Sequence, residues 1–183
     1  MKKIALIAIF LSFFCFVNLA WGEIDLKEIK KLAESGDADA QYFLGTKYDQ
    51  GQGVSQNYSE AVKWYRKAAD QGHADAQYLL GTMYIQGQGV PLDYAEAAKW
   101  LKKAAEKGLT DAQFILGGMY YHGQGALKNF QAAYVWWSIA SATGDKTSKR
   151  NLQALISKMT PQQIAQAQKE ADELWKRINK SKK

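Results

Sequence analysis

The 183-residue chain holds few side chains able to do covalent or metal chemistry. There is one Cys, at position 15, and the two His, His73 and His122, stand far apart in sequence. A single thiol excludes a disulfide framework and thiolate zinc sites. Two distant imidazoles exclude most His-based metal sites. No His-Glu-x-x-His and no Ser-x-x-Lys occurs, so zinc-protease and penicillin-binding nucleophile chemistry are absent. Gly-x-Gly elements begin at Gly51, Gly87 and Gly123. They lack the third glycine and follow helical patterns rather than strands, so they do not read as a dinucleotide fingerprint. Asp39, Asp75 and Asp111 recur once per repeat, which suits helix first turns rather than a catalytic pair. Among the six Trp, Trp64, Trp100 and Trp136 are periodic and expected in the core. Trp21 falls in the N-terminal leader, which leaves Trp137 and Trp175 for contacts. Two matches to the N-glycosylation pattern, at Asn57 and Asn179, read as coincidence, Asn57 being a helix cap. No enzyme, no cofactor and no metal site is expected.

The elements that would position any site repeat every 36 residues. Windows 40–75 and 76–111 share 22 of 36 residues, and 112–147 keeps the same frame. A period of this size marks a solenoid in which each unit buries its face on the next. Each unit reads as two helices. Ala40, Leu44 and Tyr48, spaced by four, share one face of the first. Gly45 lets its partner helix approach, and Gly51 is suited to end the helix in a left-handed cap. The second helix starts behind Asn57, with Glu60 completing a capping box; Asp93 with Glu96 repeats this, and Asn129 keeps the cap alone. Ala61, Trp64 and Ala68, with their equivalents, are the expected buried stripe.

The ends differ from the middle. Residues 1–22 have a basic start, a 14-residue apolar run from Ile4 to Val17, and small residues at Ala20 and Gly22. This is a cleavable signal pattern with cleavage near Gly22, because the run falls short of the ~20 residues that span a bilayer. Cys15 leaves with the leader, and the mature chain is expected in the periplasm or secreted, with no transmembrane segment. Residues 23–39 read as an N-terminal capping helix. Residues 148–183 read as C-terminal capping helices: Ser148, Leu152 and Ile156 take the first-helix register, and Thr160-Pro161-Gln162-Gln163 opens the last helix. Five of the last eight residues are basic. The excess positive charge reads as a property of that tail, and a nucleic-acid partner is not expected.

The pattern Ala-x3-Leu-Gly-x2-Tyr, Gly-x-Gly, Ala-x2-Trp-x3-Ala-Ala and Gly resembles the SEL-one-like repeat, a subset of the tetratricopeptide-like helical repeats. The resemblance covers 40–147 and implies an all-α, right-handed α-solenoid of antiparallel helix pairs. The third copy departs at Gly118 (Thr in the others), Ala126 and Ser141. The resemblance also implies a non-enzymatic adaptor that binds another protein. Two alternatives stay open: a cell-wall or β-lactam-related enzyme or peptidoglycan-binding protein, and an immunity or inhibitor protein against an exported toxin.

Such stacks bind along the concave side presented by the first helices. With Ala40, Leu44 and Tyr48 inward, the helical rotation points Tyr42, Thr46 and Asp49 outward. The second repeat presents Tyr78, Thr82, Ile85 and Gln86, and the third Phe114, Tyr121 and His122. The series Asp49, Ile85, Tyr121 makes the groove more apolar toward the C-terminus, and such residues are typical anchors. Because Asp49 stands at the same place, Tyr121 is expected to be dispensable for folding. The chain is expected to be a monomer in isolation, with a protein partner.

Overall fold

The structure, a computed structural model, describes residues 26–180. The expected leader, Glu23 and the final Lys182 and Lys183 lie outside the described residues. Nine α-helices and no strand occupy those residues: α1 (Leu26–Glu34), α2 (Ala38–Gln50), α3 (Tyr58–Asp70), α4 (Ala74–Gln86), α5 (Tyr94–Glu106), α6 (Thr110–His122), α7 (Phe130–Ala142), α8 (Lys146–Ile156) and α9 (Pro161–Lys180). Helices α2/α3, α4/α5 and α6/α7 form three hairpin pairs. Each pair packs on the next through α3 on α4 and α5 on α6. Helix α1 closes the front on α2, while α7 takes both α8 and α9. The last helix therefore covers the third pair, as the sequence implies.

Glycines set how closely each pair approaches. A Cβ on Gly45 would lie 2.6 Å from the Tyr65 ring, on Gly81 2.7 Å from Leu101 Cγ, and on Gly117 2.5 Å from the Trp137 indole. Such overlap cannot be relieved in a packed interior. The Gly-x-Gly element serves two needs. Gly87 ends α4 at φ 67°, and Gly89 runs so close beneath the start of α3 that a Cβ would sit 2.4 Å from the Tyr58 carbonyl.

Second helices begin where expected, with Asn57, Asp93 and Asn129 side chains accepting first-turn backbone N–H groups. The reciprocal half of the box is not made: Glu60 and Glu96 pair with Lys63 and Lys99 instead. The closed box is at α9, where the Thr160 and Gln163 side chains each accept the other's backbone N–H, at 3.2 and 2.9 Å.

Three expectations about the core are corrected. Trp64 is only half-buried and caps a small front cluster under Lys67, whose Nζ lies 4.0 Å from the ring centroid. The neighbouring Tyr65 is fully buried in its stead. Trp100 and Trp136 are core, as read. Trp137 is buried as well rather than free on the surface; its indole N–H donates to the Phe114 carbonyl at 3.0 Å. In α8, Ser148 keeps the buried register, but Leu155 is buried where Ile156 was expected, and Ile156 is exposed. That helix has 11 residues against 13 in the first helices of the repeats, and it packs chiefly on α7.

One repeated device escaped the sequence reading. Gln41, Gln77 and Gln113 are buried, and each side-chain amide donates to a carbonyl in the last turn of the preceding helix: Ala33 at 3.1 Å, Ala69 at 2.9 Å and Ala105 at 3.0 Å. These bonds tie each first helix to the helix before it. The Ala-Gln pair at the same place in all three copies was the available signal.

Candidate partner-binding groove

Helices α2, α4 and α6 carry the positions expected to face a partner. Their side chains do different work along the stack. In the first repeat they are largely engaged internally. The Tyr42 ring stacks on His73 with centroids 4.4 Å apart. The Tyr65 hydroxyl reaches Thr46 Oγ1 at 3.2 Å and the Asp49 carboxylate at 3.4 Å. Burial raises the Asp49 carboxyl above its usual value against the opposing effect of the Tyr65 bond, and burial likewise pushes the Tyr65 hydroxyl up strongly. His73 caps α4 through Nδ1, which accepts the Ala76 N–H at 3.2 Å. In the second repeat the Thr82 hydroxyl donates to the Leu79 carbonyl at 2.7 Å. Tyr78 is half-buried, its hydroxyl pushed up by burial first and by Asp111 second, and Gln86 is exposed at the end of α4.

The third repeat opens into a cavity of about 420 Å³ between α4, α6 and α8. Of the expected residues, Ile85, Phe114, Tyr121 and His122 line it together. Tyr42, Thr46, Asp49, Tyr78, Thr82 and Gln86 lie upstream and do not. Trp137 forms part of the wall, and Asn151 and Ala154 of α8 add a side that sequence reasoning missed. The missed signal was register: Ala154 occupies in α8 the place of Thr46, Thr82 and Gly118 in the earlier first helices. The cavity exists because two consecutive places in that series are small. A Cβ on Gly118 would meet nothing within 4 Å.

Partner positions on the paired helix vary in step with the groove. Tyr65, Leu101 and Trp137 pack on Gly45, Gly81 and Gly117, opposite Asp49, Ile85 and Tyr121. A polar pair thus gives way to an aliphatic and then an aromatic one. Tyr121 is more embedded than expected. Its ring lies 5.5 Å from both Phe130 and Trp137, and Lys158 donates to its hydroxyl. Truncating Tyr121 therefore costs packing, contrary to the reading that it is dispensable. No carboxylate lines the cavity. Among the described residues, no three His, Cys, Asp or Glu side chains gather to hold a metal ion, and no helix is long and apolar enough to cross a membrane.

The sequence pattern of the Sel1 repeat matches residues 38–73, 74–109 and 110–145, more than half of the chain. The chain belongs to the Sel1 repeat family. Proteins built from Sel1 repeats generally mediate protein–protein interaction and are typically non-enzymatic scaffolds. The structure is similar to that of a Sel1 repeat protein from Oxalobacter formigenes, with 40% identity and a TM-score of 0.66, covering 71% of this chain and 98% of that one. It is also similar to a protective antigen of uropathogenic Escherichia coli that displays an SLR fold, with 32% identity and a TM-score of 0.59 over 85% of this chain and 43% of the antigen. Cysteine rich protein B of Helicobacter pylori shares 25% identity at a TM-score of 0.54, over 72% of this chain and 99% of that one. In sequence, a secretory immunoglobulin A-binding protein of Escherichia coli O6:H1 is 40% identical over 67 residues, which span 36% of this chain and 14% of that protein.

Proposed function

We propose that this Sel1 repeat protein is an exported, non-enzymatic adaptor that binds a partner protein in the groove of its first helices, centred on the third repeat. The observation that carries this reading is the cavity where Ile85, Phe114, Tyr121 and His122 converge around Gly118. Half-buried aromatics around an open apolar depression are what binding hot spots need. A relative named for binding a protein supports a macromolecular partner over a small substrate. Export rests on residues 1–22, and N-terminal sequencing of the exported chain should find a start near Glu23; an intact Met1 in the membrane fraction would refute it.

The test of the groove is capture from envelope extract with the parent protein and with Gly118→Thr as bait. Thr stands at the equivalent positions 46 and 82, the backbone at 118 is helical, and the new side chain enters open space. Helical propensity favours the change as well. A partner retained by the parent and lost by a normally melting Gly118→Thr supports the groove. Equal retention by both places binding elsewhere.

A further inference from the structure

Charge is segregated along the stack. Residues 26–111 carry 12 acidic and 11 basic side chains, whereas residues 112–169 carry one acidic, Asp145, against six basic. The positive balance is therefore not confined to the tail. Among the described residues, the ion pairs all involve bases of the first two repeats: Lys63, His73, Lys99 and Lys102. The bases beyond residue 111 have no acidic partner in that set.

Several of these cations stand beside residues of the cavity wall, Lys158 and Lys128 both against Tyr121. Lys146, Arg150 and Ala154 are spaced by four and share a face of α8, and Ala154 lines the cavity. Lys158, just past that helix, reaches the Tyr121 hydroxyl, and Lys128 lies 5.0 Å from the Phe130 ring centroid. Arg150 also takes the place in α8 that Tyr42, Tyr78 and Phe114 hold in the earlier first helices. The series of rings thus ends in a guanidinium one helical turn before the cavity-lining Ala154.

We infer that the occupant of this site is an acidic segment of a partner protein, carrying one apolar side chain that enters the Gly118–Ala154 cavity while its carboxylates meet Arg150, Lys158 and Lys128. The inference rests on the groove reading above and names the chemistry of the partner. An apolar hole with an uncompensated cationic rim accepts that combination and disfavours a basic or purely apolar segment, since like charges at an interface are repelled and rim cations steer oppositely charged partners. Arg150 offers carboxylates a two-pronged donor.

Fluorescent eight-residue peptides with a central Phe flanked by Asp and Glu, by Ser, or by Lys would be titrated against the purified protein, its Gly118→Thr and its Arg150→Glu variants, each checked by melting. The acid-flanked peptide is expected to bind at least tenfold tighter than the Ser-flanked one and to weaken as salt rises. Gly118→Thr and Arg150→Glu should each cost it at least tenfold, and the Lys-flanked peptide should not bind. Equal binding of all three peptides, abolished by Gly118→Thr, would overturn the acidic partner and leave the groove standing. Acid-flanked binding unaffected by Gly118→Thr would overturn both. Absence of peptide binding, or self-association of the protein that Gly118→Thr abolishes, would show that another occupant fills the site.

Discussion

Gly81 and Thr82 are neighbours with opposite duties. A methyl group on Gly81 runs into Leu101, which is fully buried and cannot retreat, whereas Thr82 is partly exposed and bonds only within its own helix. Gly81→Ala is expected to cost about 1–3 kcal/mol through overpacking, and Thr82→Ala within ~0.5 kcal/mol. Denaturant midpoints decide this, and equal values would contradict the pairing of α4 with α5. Asp49 gives a pH-dependent counterpart. Its carboxyl is raised above 3.8 in the fold, so the folded chain takes up its proton more readily than the unfolded chain. The favourable contribution is present below that value and is lost as pH rises through the raised one. Asp49→Asn is therefore expected to melt higher than the parent at pH 7 and to converge with it near pH 3; the reverse order would show that the charge stabilises.

At the scale of the element, the helices were the most legible part of the sequence, because caps and periodic alanines act within a few residues of chain. Asn57, Asp93 and Thr160 marked starts that the structure keeps. What did not read through was the competition between neighbours. Trp64 and Tyr65 are adjacent, and nothing local says which of the two meets Gly45 across the pair. The candidate binding face was half legible for the same reason: the residues of α4 and α6 follow from repeat register, but the wall from Asn151 and Ala154 depends on how a non-repeating helix docks. That helix offers its own test. Asp145 caps α8 by accepting the Ser148 N–H. The adjacent Ser148 hydroxyl, and next that backbone N–H, hold its carboxyl below 3.8. Only the backbone bond is well aligned; the buried Ser148 hydroxyl has no partner of its own, so the cap is what a substitution removes. Asp145→Ala should cost about 1 kcal/mol. The parent's advantage should be present above pH 3.8 and fade as pH falls through the lowered value. Hydrogen exchange should show the extra opening confined to α8.

For the whole molecule, stability is a sum over neighbours, and the C-terminal cover is the vulnerable term. Helix α9 buries Ala167, Ala171 and Ile178, and Gln168 accepts the Tyr134 hydroxyl at 2.7 Å. Ending the chain before Pro161 exposes the apolar face of α7. The Tm is expected to fall by roughly 6–12 °C, corresponding to about 3 kcal/mol at roughly 2–4 °C per kcal/mol. Exchange protection should vanish first in α6–α8 and persist in α2–α5. Uniform loss would indicate that the repeats unfold as one unit.

The buried glutamines also bear on how such a protein changes length over generations. Gln41, Gln77 and Gln113 each reach a carbonyl eight residues earlier in the same stretch of chain. The fastening between turns is therefore encoded inside the segment that a tandem duplication would copy. Unequal recombination can add or drop a 36-residue unit without having to invent a new joint. The Gly118–Ala154 cavity is different, because it is built where the last copy meets a helix that is not a copy. Insertions upstream would lengthen the molecule while leaving the proposed recognition site unaltered, so extent and any specificity it confers can be inherited separately.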